Sequence, residues 1–276
     1  MGKECDLTVA IVTCGRPNLV RRCIRSIKAN TKTPYKIVLL DVSKSFTDKP
    51  VMESLSKSKS IDKYIEYDKP LGIGAGYQMI AEACDTKYIF HIDDDIYLES
   101  MPVIDEEYKY IKEHPEVGVV SCCWWDTLYN AHREAAMMWI TGESEGKKSF
   151  KKMQVPLSFA KEYNFKVLDS DEALHSMIVN KEMVYDKGIH WDRELGSKGD
   201  RESFFLQVRQ NNIPIKVIVD QIVIHDPKTY NYGSLTLSYD KKNVKEDFYN
   251  KYGYWPKTNW DKPQFRPDKN GKGAWV

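Results

Sequence analysis

This chain of 276 residues predicts an α/β fold, a mostly parallel sheet flanked by helices. Three observations carry that reading. Short apolar runs (LTVAIVT at Leu7–Thr13, YKIVLLD at Tyr35–Asp41, KYIFHI at Lys87–Ile92) have the length and unbroken hydrophobicity of strands buried on both faces. The segments between them show helical spacing: Leu19, Val20, Cys23, Ile24 and Ile27 share one face behind Pro17, a residue suited to a first turn. The two patterns alternate, and alternation of this length implies parallel strands joined by crossover helices.

Further elements follow in order. After a polar Ser/Lys loop, Ile61–Tyr67 is a shorter strand, and LGIGAG (Leu71–Gly76) opens a helix with Met79, Ile80 and Ala83 inward. Pro102 begins an amphipathic helix and Val117–Cys123 is a strand. From Trp124 to about Lys166 the periodicity degrades, and the segment reads as a polar excursion over a site. Regular elements resume at Leu174–Val179, then a helix over Arg201–Gln210 and two strands, Ile215–Val219 and Gln221–Ile224. The rest of the chain, rich in Tyr, Trp, Lys and Pro, has no clear period.

Composition narrows the class. A hydrophobic share of 42% with 29% charged residues is that of a globular core-forming chain, and a net charge of +1 gives no bulk attraction to nucleic acid or membrane. No stretch approaches the ~18 apolar residues of a membrane span, and the first residues, MGKECDLTVAIVTCGRP, do not read as a signal peptide. Asp6 stands where a myristoylation signal wants Ser or Thr. The six cysteines show no zinc spacing and are expected to be buried, reduced thiols. A cytoplasmic location is the expectation.

The most informative stretch is FHIDDDIYL. Carboxylates repel and resist burial, yet Asp93, Asp94 and Asp95 directly follow an apolar strand. A solvated turn is the plain reading. A calcium loop fails on spacing, because counting from Asp93 puts Leu98 where glycine is needed and Ile104 where a bidentate glutamate is needed. A divalent-metal site at the carboxyl end of a strand fits better, since Mg²⁺ and Mn²⁺ take oxygen ligands from one or two carboxylates plus phosphate and water. On an extended backbone Asp93 and Asp95 share a face and Asp94 points the other way. LGIGAG is a weak signal alone. It lacks the dinucleotide spacing and the P-loop lysine, but its glycines let backbone N–H groups approach an anion or a ribose.

The order of these motifs resembles that of the nucleotide-sugar-dependent glycosyltransferases of the GT-A (Rossmann-like) fold, especially inverting family 2. The shared pattern is strand, TCGRP, helix, strand ending in Asp41, Gly-rich helix start, strand, then DDD. It covers about residues 7–226, and order and spacing carry it more than any single motif. The resemblance implies a GT-A domain over 1–226, with a nucleotide-binding half (1–123) and an acceptor-binding half (124–226) bearing a smaller mixed sheet. An aromatic and basic tail, 227–276, would pack on it. It further implies that Thr13, Arg16, Asp41, Gly72, Gly74, Asp93 and Asp94 line the pocket of a nucleotide-sugar donor, typically a UDP-sugar. Asp95, Asp93 and His225 would hold Mn²⁺ or Mg²⁺. Read plainly, Asp41 is a strand-end cap and Arg16 a surface charge.

The family's catalytic base is a carboxylate opening a late helix, here within SKGDRESFFLQVRQ. The usual Glu-Asp pair is replaced by Gly-Asp-Arg-Glu. Counting back from Arg209 favours Glu202 as the base, leaving Asp200 to cap the helix or to be the base instead. His91 reads as a core residue, and Trp124, Trp125 and Trp191 as core or as sugar-stacking faces. The implied reaction is a single displacement at the anomeric carbon. A sugar-1-phosphate nucleotidyltransferase is less consistent, because TCGRPN lacks a glycine-rich loop, and a non-catalytic binding module would not need two acidic clusters and a histidine. The acceptor stays open: a glycan, a lipid-linked sugar, a protein or a modified nucleic-acid base, the last suggested by the tail's interleaved aromatics and cations.

Overall fold

The computed structural model describes residues 5–13, 16–42, 53, 55, 57–67, 73–132, 134–144, 146–174, 176–195, 199–226, 244–257, 265–267 and 273–275. The elements run β1 (Leu7–Thr13), α1 (Pro17–Asn30), β2 (Lys36–Asp41), β3 (Lys63–Glu66), α2 (Ile73–Ala83), β4 (Tyr88–Asp93), β5 (Ile96–Tyr97), α3 (Val103–Glu113), β6 (Val119–Asp126) and β7 (Ala131–His132). They continue with β8 (Glu134–Ser144), β9 (Lys147–Pro156), α4 (Leu157–Glu162), β10 (Val167–Ser170), β11 (Ser176–Asn180), α5 (Asp200–Gln210), β12 (Ile215–His225) and α6 (Val244–Tyr252). Three short strands close the order: β13 (Trp255–Lys257), β14 (Phe265–Pro267) and β15 (Gly273–Trp275).

The main sheet has the order β10-β12-β6-β11-β4-β1-β2-β3. Strands β3, β2, β1 and β4 are mutually parallel, and β12 is parallel to β6. β11 slots antiparallel between β4 and β6, and β10 is antiparallel at the edge. The expected mostly parallel sheet is therefore present. Its period-two strands explain why both faces are covered. In β1, Ala10 and Val12 enter a core shared with Tyr77 and Ile80 of α2 and Phe204 and Phe205 of α5, while Leu7, Val9 and Ile11 enter one shared with Val20, Ile24 and Ile27 of α1 and Ile104 of α3.

Two expectations need correction. The segment 124–166 is not an irregular excursion: it completes β6, forms the β8–β9 hairpin and ends in α4. The hairpin turns at Gly146, whose φ of +71° suits glycine. β13 adds to β9 in parallel, giving a small separate sheet. The pattern was obscured because β9 (KKSFKKMQVP) carries four lysines in ten residues and buries only Ser149 and Phe150. Trp139 stacks on Phe150 with ring centroids 4.3 Å apart, and Phe248 of α6 lies 6.1 Å from Phe150. The second correction concerns the last two strands, which are one strand, β12, with a register shift between Ile218 and Ile222. A bulge around exposed Asp220 mimics a break in the apolar run.

The described cysteines are all free thiols, and four of them are buried. Cys14 and residues 227–243 lie outside the described residues. No helix among those described is long and apolar enough to cross a membrane.

Candidate active site

β4 is extended only as far as Asp93; Asp94 and Asp95 form a turn before β5. This changes where the three carboxylates point. All three are buried. Asp93 accepts a hydrogen bond from the Tyr77 hydroxyl on α2. Asp94 accepts from Thr13 Oγ1 at 2.5 Å and from the Arg16 guanidinium through both oxygens. Asp95 accepts from Arg16 Nη1 at 3.1 Å. Arg16 thus bridges Asp94 and Asp95, and the strict strand alternation expected for the triplet stops at Asp93. Burial, reinforced by the charge of Asp95, raises the Asp93 pKa. Burial also raises Asp94, to about 6, with Arg16 pulling the other way.

α1 delivers Arg16. Its carbonyl accepts the Leu19 and Val20 N–H groups at 3.0 and 3.1 Å, with Pro17 in the first turn. Asp41 ends β2, buried, and accepts from the Tyr64 hydroxyl at 3.0 Å. Asp41 and Thr13 are paired in the β1–β2 ladder, so both sit at the carboxyl edge of the sheet. Gly72 lies outside the described residues.

His225 ends β12. Its Nδ1 donates to Asp126 Oδ2 at 3.2 Å, leaving Nε2 3.8 Å from Asp95 Oδ1. A histidine oriented by a second carboxylate is the usual support of a metal-binding imidazole. The three-ligand set expected from sequence is not assembled, since no three His, Cys, Asp or Glu side chains among the described residues converge as a metal group. The reason is the turn: Asp93 faces α2, whereas Asp95 faces Arg16 and His225. Two ligands, Asp95 and His225, fit a hard divalent ion that takes its remaining ligands from phosphate and water.

Asp200 and Glu202 open α5. The expectation that Asp200 caps its own helix fails, because no side-chain cap bond is made there. Its Oδ2 accepts the Gly74 N–H at 2.8 Å, in the first turn of α2, and Oδ1 accepts the Arg201 N–H at 2.7 Å. A Cβ on Gly74 would lie 2.6 Å from that Oδ2, so the close approach requires glycine. Burial raises the Asp200 pKa to about 7, against the Gly74 hydrogen bond and with help from the charge of Glu202. Glu202 has a different setting, bonded at 2.7 Å to Lys152 Nζ of β9. Lys152 also pairs with buried Glu172 at 2.7 Å, and Glu172 takes Arg201 as well. Burial pushes Glu172 up, but the two cations outweigh it and hold its carboxyl below the usual range.

Trp191 is buried and stacked on Phe204 at 4.3 Å, so its face is closed to a sugar. Trp124 is buried too, its ring 4.9 Å from that of His225. His91 lies in the core, as expected, with burial lowering its pKa to about 3. Sequence reasoning missed Tyr77, Asp126, Lys152 and Glu172. Asp126 ends a strand beside two tryptophans, a signal of the same kind as Asp41; the other three carry none.

A mainly parallel sheet with acidic groups at its carboxyl edge and a small separate sheet is the GT-A architecture of glycosyltransferases. The chain belongs to glycosyl transferase family 2, whose model matches residues 8–176. Solved structures share the fold at low identity. GalNAc-T7 with UDP, GalNAc and Mn²⁺ superposes with a TM-score of 0.61 and 13% identity over 82% of this chain and 44% of that one. Residues 1–349 of S. aureus TarS in complex with UDP-GlcNAc give 0.61 and 15% over 89% and 64%. A longer S. aureus TarS structure gives 0.56 and 14% over 80% and 36%, so the chain spans from about a third to two thirds of these relatives. No curated protein sequence matches the chain.

Proposed function

We propose that the chain transfers a sugar from a nucleoside-diphosphate sugar, a UDP-sugar in the first instance, to an acceptor hydroxyl with inversion. The observation that carries this is Asp200, a buried carboxylate with its pKa raised to about 7. It is tied through α2 to the acidic end of β4, since Gly74 bonds Asp200 and Tyr77 bonds Asp93. A base poised near neutral pH suits removal of a hydroxyl proton. The likeness to UDP-bound GT-A structures supports the donor class.

In this reading the acceptor oxygen attacks the anomeric carbon and its proton passes to Asp200 Oδ. The bond from that carbon to the diphosphate oxygen breaks, and the electron pair leaves with the diphosphate. Gly74 and Arg201 N–H groups hold the Asp200 carboxylate in one orientation. This moves the base from Glu202, which the Lys152 ion pair reserves for joining α5 to β9. Thr13, Arg16, Asp94 and Asp41 line the nucleotide side, with Gly74 in the first turn of α2. Asp95 and His225 would hold Mn²⁺ or Mg²⁺, which when bound supplies charge for the departing diphosphate. A cytoplasmic site of action goes with the proposal.

The test is a thermal-shift screen of nucleotide sugars with and without Mn²⁺, followed by a transfer assay on any donor found. A UDP-sugar is expected to raise the melting point, more with metal, because a ligand of the native state stabilises it. Failure of every nucleotide sugar to shift the chain would defeat the reading. Binding with neither transfer nor hydrolysis would make it a non-catalytic module.

A further inference from the structure

We propose that the groove along α1 is a second anion site, one that binds a phosphate ester. A cleft of about 520 Å³ runs beside this helix, lined by Arg21, Arg22 and Arg25 together with Leu98 and Glu99. The charge pattern of α1 is not that of an ordinary solvated face. The helix, PNLVRRCIRSIKAN, carries four cations and no acid, in a chain whose net charge is only +1. Arg21 and Arg25 stand four residues apart, where like charges repel and destabilise a helix.

Arg22 is already committed: Nη1 bonds Asp226 Oδ2 at 2.6 Å, and its guanidinium lies 4.4 Å from the Tyr97 ring centroid. That pairing fixes one wall of the cleft. Lys28 bonds Ser60 Oγ at 2.7 Å. Arg21 and Arg25 make no ion pair among the described residues. Two guanidinium forks with no counter-ion among the described residues, both lining one groove, match the roughly −1.5 to −2 charge and the oxygen fork of a phosphate monoester, or successive charges of a phosphodiester. Neither Asp95 nor His225 lines this cleft, although Asp226 joins Arg22 to the Asp95 backbone, and the inference does not depend on the transferase reading.

The test is calorimetric titration of the full chain with inorganic tripolyphosphate in low salt and EDTA, comparing wild type, R21A/R25A, R21K/R25K and D95A. Both arginines are on the surface, and far-UV circular dichroism with melting checks that each variant is folded. The wild type is expected to bind and R21A/R25A to lose about tenfold or more in affinity, the scale of losing charged hydrogen bonds. R21K/R25K should fall between, keeping charge without the fork, and D95A should still bind, because the groove's arginines are untouched. Competition by glucose 6-phosphate identifies a monoester as the source, and competition by hexathymidylate alone identifies a phosphodiester. The proposal is overturned if wild type does not bind, if R21A/R25A binds unchanged, if D95A alone abolishes binding, or if neither ester competes.

Discussion

Asp200 and Glu202 are two residues apart on one helix yet differ in what surrounds them, and that difference decides which can act as a base. Among the described residues Asp200 has only backbone N–H donors, with its pKa raised to about 7, whereas Glu202 has a lysine. D200N is expected to cut turnover by about 10²–10⁴-fold with donor-induced melting shifts intact, whereas E202Q keeps most activity. An E202Q loss as deep as that of D200N would return the base to Glu202. The sign of the pH effect follows. Asp200 must be ionised to accept a proton, so turnover should rise with pH through an apparent pKa near 7. Stability runs the opposite way: the folded pKa exceeds the unfolded one, so this residue's contribution is present at pH 4 and lost as pH rises through 7. Melting measured at pH 5 and pH 8 should therefore differ less in D200N than in wild type.

Elements place those residues. α2 contacts α5 through Gly74 and β4 through Tyr77, one helical turn apart on the same face. G74A is expected to fold but to push the Asp200 carboxylate away, lowering kcat more than it raises KM for the donor and shifting the rising limb of the pH profile. An unchanged profile would show that the Gly74 contact does not tune Asp200. In the β8–β9 hairpin Phe150 stacks on Trp139 of the same hairpin and meets Phe248 of α6, within the core that also holds Phe204 and Phe205. F150A should cost about 3–5 kcal/mol in denaturant unfolding. Elements were the most legible level in the sequence. β1 was read at its observed bounds and β2 and β4 within a residue at either end, because buried parallel strands are continuous apolar runs. The hairpin was illegible because β9 buries only Ser149 and Phe150 among its lysines, while β8 buries Ala135, Ala136 and Met137 in succession, so neither strand shows a clean alternation.

The main sheet interlocks the two halves of the chain. β11, from the second half of the chain, lies between β4 and β6 of the first, and β12 pairs with β6 along its length. A fragment of residues 1–123 would leave both faces of that junction unpaired, so it and the complementary fragment are expected to lack cooperative melting when expressed apart. Separate cooperative transitions would refute this. What the sequence by itself determined is the local content: strand and helix order, the acidic end of β4, the acids opening α5, and through their order the family. Periodicity and motif spacing are properties of neighbouring residues, so they survive without coordinates. Only the tertiary structure decided the partnerships. Asp200 meets Gly74 across 126 positions, Arg16 meets Asp94 across 78, and His225 meets Asp126 across 99. Those distances are closed by strand order and by the turn after Asp93. The charge, proton affinity and role of each carboxylate depend on which donor the fold brings to it.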